Sequence, residues 1–522
     1  MALACVLTLP LAAQPPAIGQ NGVVNAASRI PPTLAGGAIA RGARIAIHGV
    51  RFGSVKESVS VNLRDSHRET PFLVTTVTPE EIEAIVPLSA PLGHAELVVA
   101  VNGERSAPFA VDVAASNPGI FSRNGLGWGP ADAGTIAADG RKSENSFSNP
   151  ALPLEHVYFR ATGAGSGDRI TIVIGDRALQ AERIRRDPAR GEEEVHFRIP
   201  SDTVKGCNVP VYFQLGPSRA SNVVTMAIGA RRGNCDSGPI PPIHKGQATG
   251  IVILSRARIQ SRKDDPIPVY DEAFATFTAL NDQSKLSPLM LLPPPGFCTA
   301  YTSSFQTATV VPSSISAAFV AELGGRGLDA GPSLNLSAAN SHSLPQNPNA
   351  PGFYARLANS DRNMQPRGAQ PLVPFLEAGD YRLTGRGGKD VGAFSIDISG
   401  PTPFEWTNQS ATAVVNRTRP LPLQWRGAGA DRYILILATN VDQVSTAIGT
   451  TVCVARGERG QFTIPASMLA NLPASKDAPG VPYDRVLLAA IPAKPAPQIA
   501  APGLNSGAVF SVFANSRVVE FR

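Results

Sequence analysis

Four cysteines carry the clearest chemical information in this sequence. The chain has five in total, of which Cys5 lies in an apolar N-terminal run and the others are Cys207, Cys235, Cys298 and Cys453. An even number beyond the N-terminal run is typical of exported proteins, in which cysteines form disulfides. The cysteines therefore favour an oxidising compartment.

Cys207 and Cys235 bracket two strand-like runs, residues 209–215 and 222–228. If these runs form a hairpin, both cysteines lie at the same end of it. We therefore predict a disulfide that closes a loop of about 28 residues and contributes roughly 3 kcal/mol by the chain-entropy estimate.

Metal binding is the alternative role for the cysteines, and the sequence gives it little support. No CxxC pair occurs, and the histidines lie far from one another and from the cysteines, unlike the ligands of zinc sites. We predict no metal and no cofactor. Cys298 and Cys453 fall in different predicted domains, so their pairing is left open.

Acidic residues offer a route to a hydrolytic site. Glycosidases place two carboxylates across a sugar-binding cleft, and the candidates here are Asp264, Asp265, Asp271 and Glu272. They lie near a predicted strand start and at the N-terminus of a predicted short helix, residues 271–280, where acids commonly act as caps. The structural role is favoured, and no catalytic residue is predicted.

The glycine-rich segment from Gly163 to Gly167 could in principle cradle a phosphate. Such a loop requires a helix after it, but a strand-like run, residues 168–174, follows, and no P-loop lysine is present. A β-turn is predicted. No GxSxG sequence occurs, although a triad of residues distant in sequence is left open.

Trp128 is the candidate binding residue. It lies in the run Gly125-Leu-Gly-Trp128-Gly, where a loop could leave the indole exposed to stack on a sugar ring. Trp406 and Trp425 are interpreted as core residues instead.

The charges do not indicate a nucleic-acid partner. The chain has 47 basic and 41 acidic residues and a net charge of +6, but these residues are spread along its whole length and form no basic patch. No run reaches the roughly 18 apolar residues that a transmembrane helix needs.

Residues 1–13 are typical of the end of a signal peptide. The run is apolar and ends in small residues at Ala12-Ala13, as a cleavage site requires. No Lys or Arg precedes it, so either the true start lies upstream or the segment is merely a hydrophobic tail, and we favour the first. The predicted location is secreted, periplasmic or at the cell surface.

Residues 20–113 contain a series of short strands separated by turns. Val59, Val61 and Leu63 alternate with polar residues, and Asn102-Gly103 is a strong hairpin signal. Several short strands within about 90 residues predict an immunoglobulin-like sandwich.

The residues of this region also resemble a known module. Gly42-Ala-Arg-Ile-Ala-Ile-His-Gly49-Val-Arg-Phe-Gly53, then 82–87 and 93–101, are similar to an IPT/TIG domain. The preceding Asn21-Gly-Val-Val-Asn-Ala-Ala-Ser28 resembles the opening of uncharacterised exported proteins of the Solibacter-type acidobacteria.

The resemblance to these acidobacterial proteins continues to about residue 235. It implies a second β-sandwich-like module, residues 116–230, in which Cys207 and Cys235 correspond to the cysteine pair of the family. It implies a fold and export, but no activity. The matching phrases are residues 117–121, 158–163, 206–211 and 221–226.

The remaining sequence predicts three further segments. Residues 231–247 are rich in Pro and Gly and indicate a linker. A β-rich domain is predicted over 248–402 and a C-terminal immunoglobulin-like domain over 403–522, with a short helix at 466–472. The predicted fold class is therefore all-β, with tandem immunoglobulin-like β-sandwich domains and minor short helices.

The sequence predicts a noncatalytic exported binding or scaffold protein of unknown ligand, with adhesion or glycan binding as the expected role. One alternative is an extracellular polysaccharide-active enzyme with its site in residues 248–522. The other is a structural stalk, for which the linker should be extended.

Overall fold

The computed structural model describes residues 14–65, 68–167, 169–214, 220–236, 238–239, 246–261, 267–281, 291–304, 325–360, 373–442, 446–475, 484–493 and 499–522. The predicted signal peptide lies outside this range. Strands dominate the described chain, and its one α-helix is α1 (Ala466–Leu469). The predicted all-β class is confirmed. None of the described helices is long and apolar enough to cross a membrane.

The N-terminal unit, residues 17–114, consists of two facing sheets. A core that includes the fully buried Phe52 fills the space between them. One sheet contains β1 (Ala17–Asn25), β3 (Arg44–Val50), β7 (Glu81–Ile85) and β6 (Leu73–Val77). The other contains β2 (Ile39–Ala40), β10 (Phe109–Ala114), β8 (Gly93–Val101), β4 (Val59–Arg64), β5 (Glu69–Pro71) and β9 (Glu104–Arg105).

Local sequence explains these strands well. Val59, Val61 and Leu63 of β4 are buried and alternate with more exposed residues, as a strand with one face on the core requires. Asn102 and Gly103 both have positive φ, 50° and 87°, which is the conformation of a type I′ turn. They join β8 to β9, so the predicted hairpin is confirmed.

The middle unit, residues 119–228, is a second pair of sheets around its own core. The phenyl rings of Phe159 and Phe197 pack against each other at its centre. One sheet contains β14 (Lys142–Glu144), β13 (Ala133–Ile136), β15 (His156–Thr162), β19 (Glu192–Arg198), β18 (Arg183–Asp187) and β11 (Gly119–Ile120). The other contains β12 (Gly129–Pro130), β21 (Val224–Ile228), β20 (Gly206–Gln214), β16 (Thr171–Ile174) and β17 (Arg177–Gln180).

The C-terminal unit, residues 248–521, is organised around a nine-stranded sheet. Two central strands, β22 (Ala248–Gln260) and β38 (Ser506–Val518), are parallel, and their pairing runs from Thr249–Ser506 to Gln260–Arg517. In order, the sheet contains β24 (Cys298–Ser304), β35 (Ala447–Arg456), β34 (Arg432–Asp442), β37 (Arg485–Pro492), β38 (Ser506–Val518), β22 (Ala248–Gln260), β23 (Val269–Ala279) and β25 (Arg326–Gly327), and β28 (Phe353–Asn359) also pairs with β23.

Smaller sheets cover one face of this large sheet. A four-stranded sheet packs over Val252 and Leu254, and a three-stranded sheet packs over Ile434 and Ile436. The four-stranded sheet contains β27 (Ser341–Pro345), β26 (Ser333–Ser337), β29 (Asp380–Gly385) and β30 (Phe394–Ser399). The others contain β31 (Glu405–Trp406), β33 (Leu421–Arg426) and β36 (Gln461–Ile464), and the pair β32 (Val414–Val415) with β39 (Glu520–Phe521).

The predicted division of this region into domains 248–402 and 403–522 does not match the sheet. The sheet contains strands from both ranges, because β24 from the first range pairs with β35 from the second, and β22 from the first pairs with β38 from the second. The helix predicted over residues 271–280 is wrong, because β23 occupies that segment and pairs with β22 and β28. The helix predicted at 466–472 is present as the shorter α1.

Candidate functional site

Both cysteine pairs form disulfides. Cys207 and Cys235 are joined with Cα atoms 5.2 Å apart, as predicted. Cys298 and Cys453, whose pairing the sequence left open, lie directly opposite each other on β24 and β35 and are also joined. The second disulfide therefore ties an edge strand of the large sheet to its neighbour.

Trp128 is buried, so the predicted exposure of its indole is wrong. It is 7% exposed, and its ring lies 5.7 Å from that of Tyr301 in the C-terminal unit. The loop that carries it is held by Asn222, whose Nδ2 donates to the carbonyl of Gly127 at 2.7 Å. Trp128 is thus a packing residue between two units.

Asp271 and Glu272, the two candidate carboxylates that the structure describes, do not form a facing pair. Asp271 is 1% exposed and accepts two hydrogen bonds from Arg256 at 2.8 and 2.9 Å, and also the backbone N–H of Leu376. Glu272 is the next residue of β23, so its side chain lies on the opposite face of the sheet. Asp264 and Asp265 lie outside the described residues.

The glycine-rich segment is part of a junction between units. Gly163 and Gly165 have positive φ, and the strand β16 follows, as predicted for a turn. A side chain at Gly165 would meet the carbonyl of Ala115 at 2.8 Å. The N–H of Asn117 donates to the carbonyl of Gly163 at 2.9 Å. Because these glycines have no side chain, residues 115–117, which connect the first two units, can lie directly against them.

Asn25 is the central polar residue of this N/middle junction, the contact between the N-terminal and middle units. Its Nδ2 donates to the carbonyl of Asn117 at 3.1 Å, and its Oδ1 accepts the N–H groups of Ala27 and Ser28. Asn25 is 1% exposed. Because buried polar groups are costly unless they are paired, these bonds favour one orientation of the two units.

An ion-pair network extends the same junction. Arg44 of β3 lies 2.7 Å from Glu192 of β19, and Arg160 of β15 pairs with Glu192 and with Asp132. The Arg44 guanidinium also lies 4.7 Å from the ring centre of Phe121, within the range of a cation–π interaction. Glu192 is thus shared by cations from both units.

Glu193 has an unusual environment beside this network. Burial raises its pKa to about 7, despite the hydrogen bond that its Oε1 accepts from the N–H of Ala164 at 3.2 Å. The negative charge of Glu192 raises the pKa further, and Arg186 lowers it. Glu193 therefore titrates near neutral pH inside the middle unit, next to the junction residue Glu192.

The other two junctions involve the C-terminal unit. At the N/C junction, Asn21 Nδ2 donates to Thr446 Oγ1 at 3.4 Å, and Ile30 and Leu34 pack against Ala447. At the middle/C junction, Trp128 contacts Tyr301, and the side chain of Val223 is part of the C-terminal core. Each unit therefore contacts both of the others.

The described surface lacks an exposed aromatic platform. Every described Trp, Tyr and Phe side chain is at least partly buried, including Trp406 and Trp425, which belong to the core as predicted. The described residues also contain no group of three or more His, Cys, Asp and Glu side chains suited to a metal ion. The contacts at the three junctions join residues that are distant in sequence, and they are the main feature that sequence patterns did not predict.

Comparisons with known proteins identify no family for this chain. No family model matches the chain, and no curated protein is similar to it. One similar structure is a tetra-tandem repeat from the extending region of a large adhesion protein, at 11% identity over 97% of this chain and 99% of that one, with a TM-score of 0.14.

Two further structures resemble parts of the chain. One is a protein of unknown function from Bacteroides thetaiotaomicron, at 12% identity over 51% of this chain and 60% of that one, with a TM-score of 0.16. The other is a surface glycan-binding protein from Prevotella bryantii, at 12% identity over 56% and 59%, with a TM-score of 0.15. This chain thus covers less than two thirds of either protein.

Proposed function

We propose that this chain is an exported, noncatalytic scaffold or binding protein whose three β units act as one fixed block. The observation that carries the proposal is the set of three junctions, in which buried side chains from each unit contact both of the others. Domains on flexible linkers usually share small polar contacts and move independently. The two disulfides are consistent with an oxidising, extracellular location.

Several residues that could have supported chemistry have structural roles instead, and this supports the noncatalytic part of the proposal. Asp271 neutralises Arg256 and anchors the backbone of residue 376. Trp128 and the glycine segment 163–167 belong to junctions. A fixed block would present its loops in constant positions to a polymer or a protein partner.

Small-angle X-ray scattering of the oxidised full-length chain tests the fixed block. We expect a radius of gyration near the roughly 24 Å of a compact chain of this length. The double variant I30D/L34D removes the apolar contact with Ala447 and should increase the radius. An exposed apolar residue of the same unit, Leu73, provides the matched control L73D. A wild-type chain already as expanded as I30D/L34D would refute the block.

The ligand class that we propose is a glycan, bound through polar loop residues rather than through stacking on an exposed indole. A glycan array with the full-length chain tests this assignment, with the heat-unfolded chain as control. Binding that is specific to the folded chain supports it. An array without specific binding would leave a scaffold with protein partners, and the glycan assignment would be abandoned.

A further inference from the structure

Arg517, near the end of β38, is a buried cation without a countercharge. It is 3% exposed, and its Nη1 donates to Gln260 Oε1 at 2.8 Å. Its Nε is buried and has no acceptor. Among the described residues, no carboxylate forms an ion pair with it. The one bond to a neutral amide therefore leaves the positive charge of Arg517 unbalanced.

Loss of a proton does not relieve the cost of this charge. Burial lowers the pKa of the Arg517 guanidinium, but an arginine side chain remains protonated in proteins because its intrinsic pKa lies far above neutral. A buried charge that lacks a partner is costly. An anion from outside the chain would remove this cost.

The buried acids of the neighbouring strands have other partners. Asp271 of β23 accepts the two hydrogen bonds from Arg256. Asp484, which immediately precedes β37, accepts the hydroxyl of Ser475 at 2.7 Å. Neither acid raises the pKa of Arg517, which is lowered by burial alone. These two carboxylates therefore do not serve as its countercharge.

Arg258 provides a second cation on the same face of the large sheet. Arg517 is paired with Gln260 across β38 and β22. Arg258 precedes Gln260 by two residues on β22, so its side chain points to the same side. It is exposed and has no hydrogen bond or ion pair with a described residue. We call Arg258 and Arg517 the sheet-end arginines.

The free edge of the Arg517 guanidinium determines which anion fits. Nη1 is occupied by Gln260, whereas Nε and Nη2 have no described acceptor. Nη2 is not among the fully buried atoms, so this edge reaches the surface. Two parallel N–H groups of this kind match the two oxygens of a carboxylate. A carboxylate could bind there without breaking the bond to Gln260.

We propose that the sheet-end arginines bind a carboxylate of an acidic glycan, that is, of a polymer containing uronic acid residues. Arg517 forms the bidentate contact, and the exposed Arg258 attracts the ligand and contacts the same carboxylate or its neighbour. The inference rests on the glycan ligand proposed above and adds the charge of that glycan. A neutral glycan would leave Arg517 without a countercharge, so it fits this site less well.

Isothermal titration of the full-length chain with trigalacturonic acid at pH 7 tests the site, with the methyl-esterified trisaccharide as the uncharged comparison. We expect one site per chain and at least tenfold tighter binding of the acid than of the ester. R517Q should weaken binding of the acid about tenfold or more, and R258Q about threefold. The matched control is R382Q, because Arg382 is exposed and pairs with Asp397, and its affinity should equal that of the wild type.

The melting temperature without ligand separates binding from a structural role of Arg517. R517Q removes an uncompensated buried charge, so we expect its melting temperature to equal or exceed that of the wild type. Trigalacturonic acid should raise the melting temperature of the wild type and not that of R517Q. A lower melting temperature of R517Q with unchanged affinity would mean that Arg517 is structural, and it would overturn the site. If R517Q does not fold, R258Q and the ester decide the question.

Three further results would overturn the site: no binding of trigalacturonic acid, equal affinity for the acid and its ester, or equal affinity in wild type and both arginine variants. The glycan array separates these failures from failure of the proposed function. Specific binding of neutral glycans that R517Q leaves unchanged would retain the glycan ligand and reject this site. An array without specific binding would reject both.

Discussion

Replacing Glu193 with Gln should stabilise the protein at alkaline pH and have little effect in acid. Glu193 is buried in the middle unit, next to the junction residue Glu192, and its pKa is about 7. Its usual value is 4.5, so the folded state holds a proton that the unfolded chain releases. The glutamate contributes no penalty below about pH 4.5, and its penalty grows as the pH rises to about 7. Gln resembles the protonated glutamic acid and carries no charge at any pH.

The size of the effect follows from the two pKa values. The pKa of Glu193 rises from 4.5 in the unfolded chain to about 7 in the folded protein. At about 1.4 kcal/mol per pH unit, this shift lowers the free energy of unfolding by about 3 kcal/mol once the group is ionised. At pH 8 nearly all of this cost is present in the wild type. The stability gain of E193Q should therefore be about 3 kcal/mol larger at pH 8 than at pH 4, and most of the increase should occur between pH 5 and 7.

Urea unfolding of wild type and E193Q across this pH range measures the gain, and hydrogen exchange at Ala164, whose N–H donates to Glu193, gives a local measure. The matched control is E194Q. Glu194 is the next residue of β19, and although burial raises its pKa, the hydrogen bonds from Lys142 and His196 outweigh this and lower it. E194Q should show no alkaline gain. A gain of E193Q that is constant with pH would refute the titration of Glu193 near neutrality.

Two further predictions concern the packing and the disulfides. W128A should cost about 3 to 5 kcal/mol of stability, because a large buried aromatic side chain is removed, yet it should leave ligand binding unchanged; urea unfolding and a glycan array check both parts. C298S/C453S should cost more than C207S/C235S, about 5 against about 3 kcal/mol on the chain-entropy scale, because the closed loops span 155 and 28 residues; the midpoints of denaturant unfolding should follow this order.

Local patterns predicted the elements whose partners are near in sequence. The alternation of β4 and the Asn102-Gly103 turn of β8 and β9 are encoded within a few residues. The disulfide between Cys207 and Cys235 was predictable for the same reason, because one hairpin carries both cysteines. In these cases the strand pairing follows from the turn.

Elements whose partners are distant could not be predicted in this way. Residues 271–280 were predicted as a helix, but β23 is held as a strand by neighbours on both sides, β22 and β28. Trp128 was predicted to be exposed because its local context is glycine-rich, yet the ring that covers it, Tyr301, lies in another unit. Tertiary contacts of this kind override local propensity.

The candidate site was the least predictable part. The sequence identified which residue types could bind or react, but not the junction partners, such as Arg44 and Glu192, which are 148 positions apart. Hydrogen bonds also bring together Asn440, Ser475 and Asp484 from separate segments. No spacing rule links them, because the residues become neighbours only when the sheet has formed.

The parallel pairing of β22 with β38 has a consequence for biosynthesis. These strands lie side by side in the middle of the large sheet, but they are 257 residues apart along the chain. During synthesis the first partner emerges long before the second, so the sheet has an open edge until the last residues arrive. A chain that ends before residue 506 would lose a central strand rather than a dispensable tail, and it should aggregate or be degraded instead of surviving as a shorter protein.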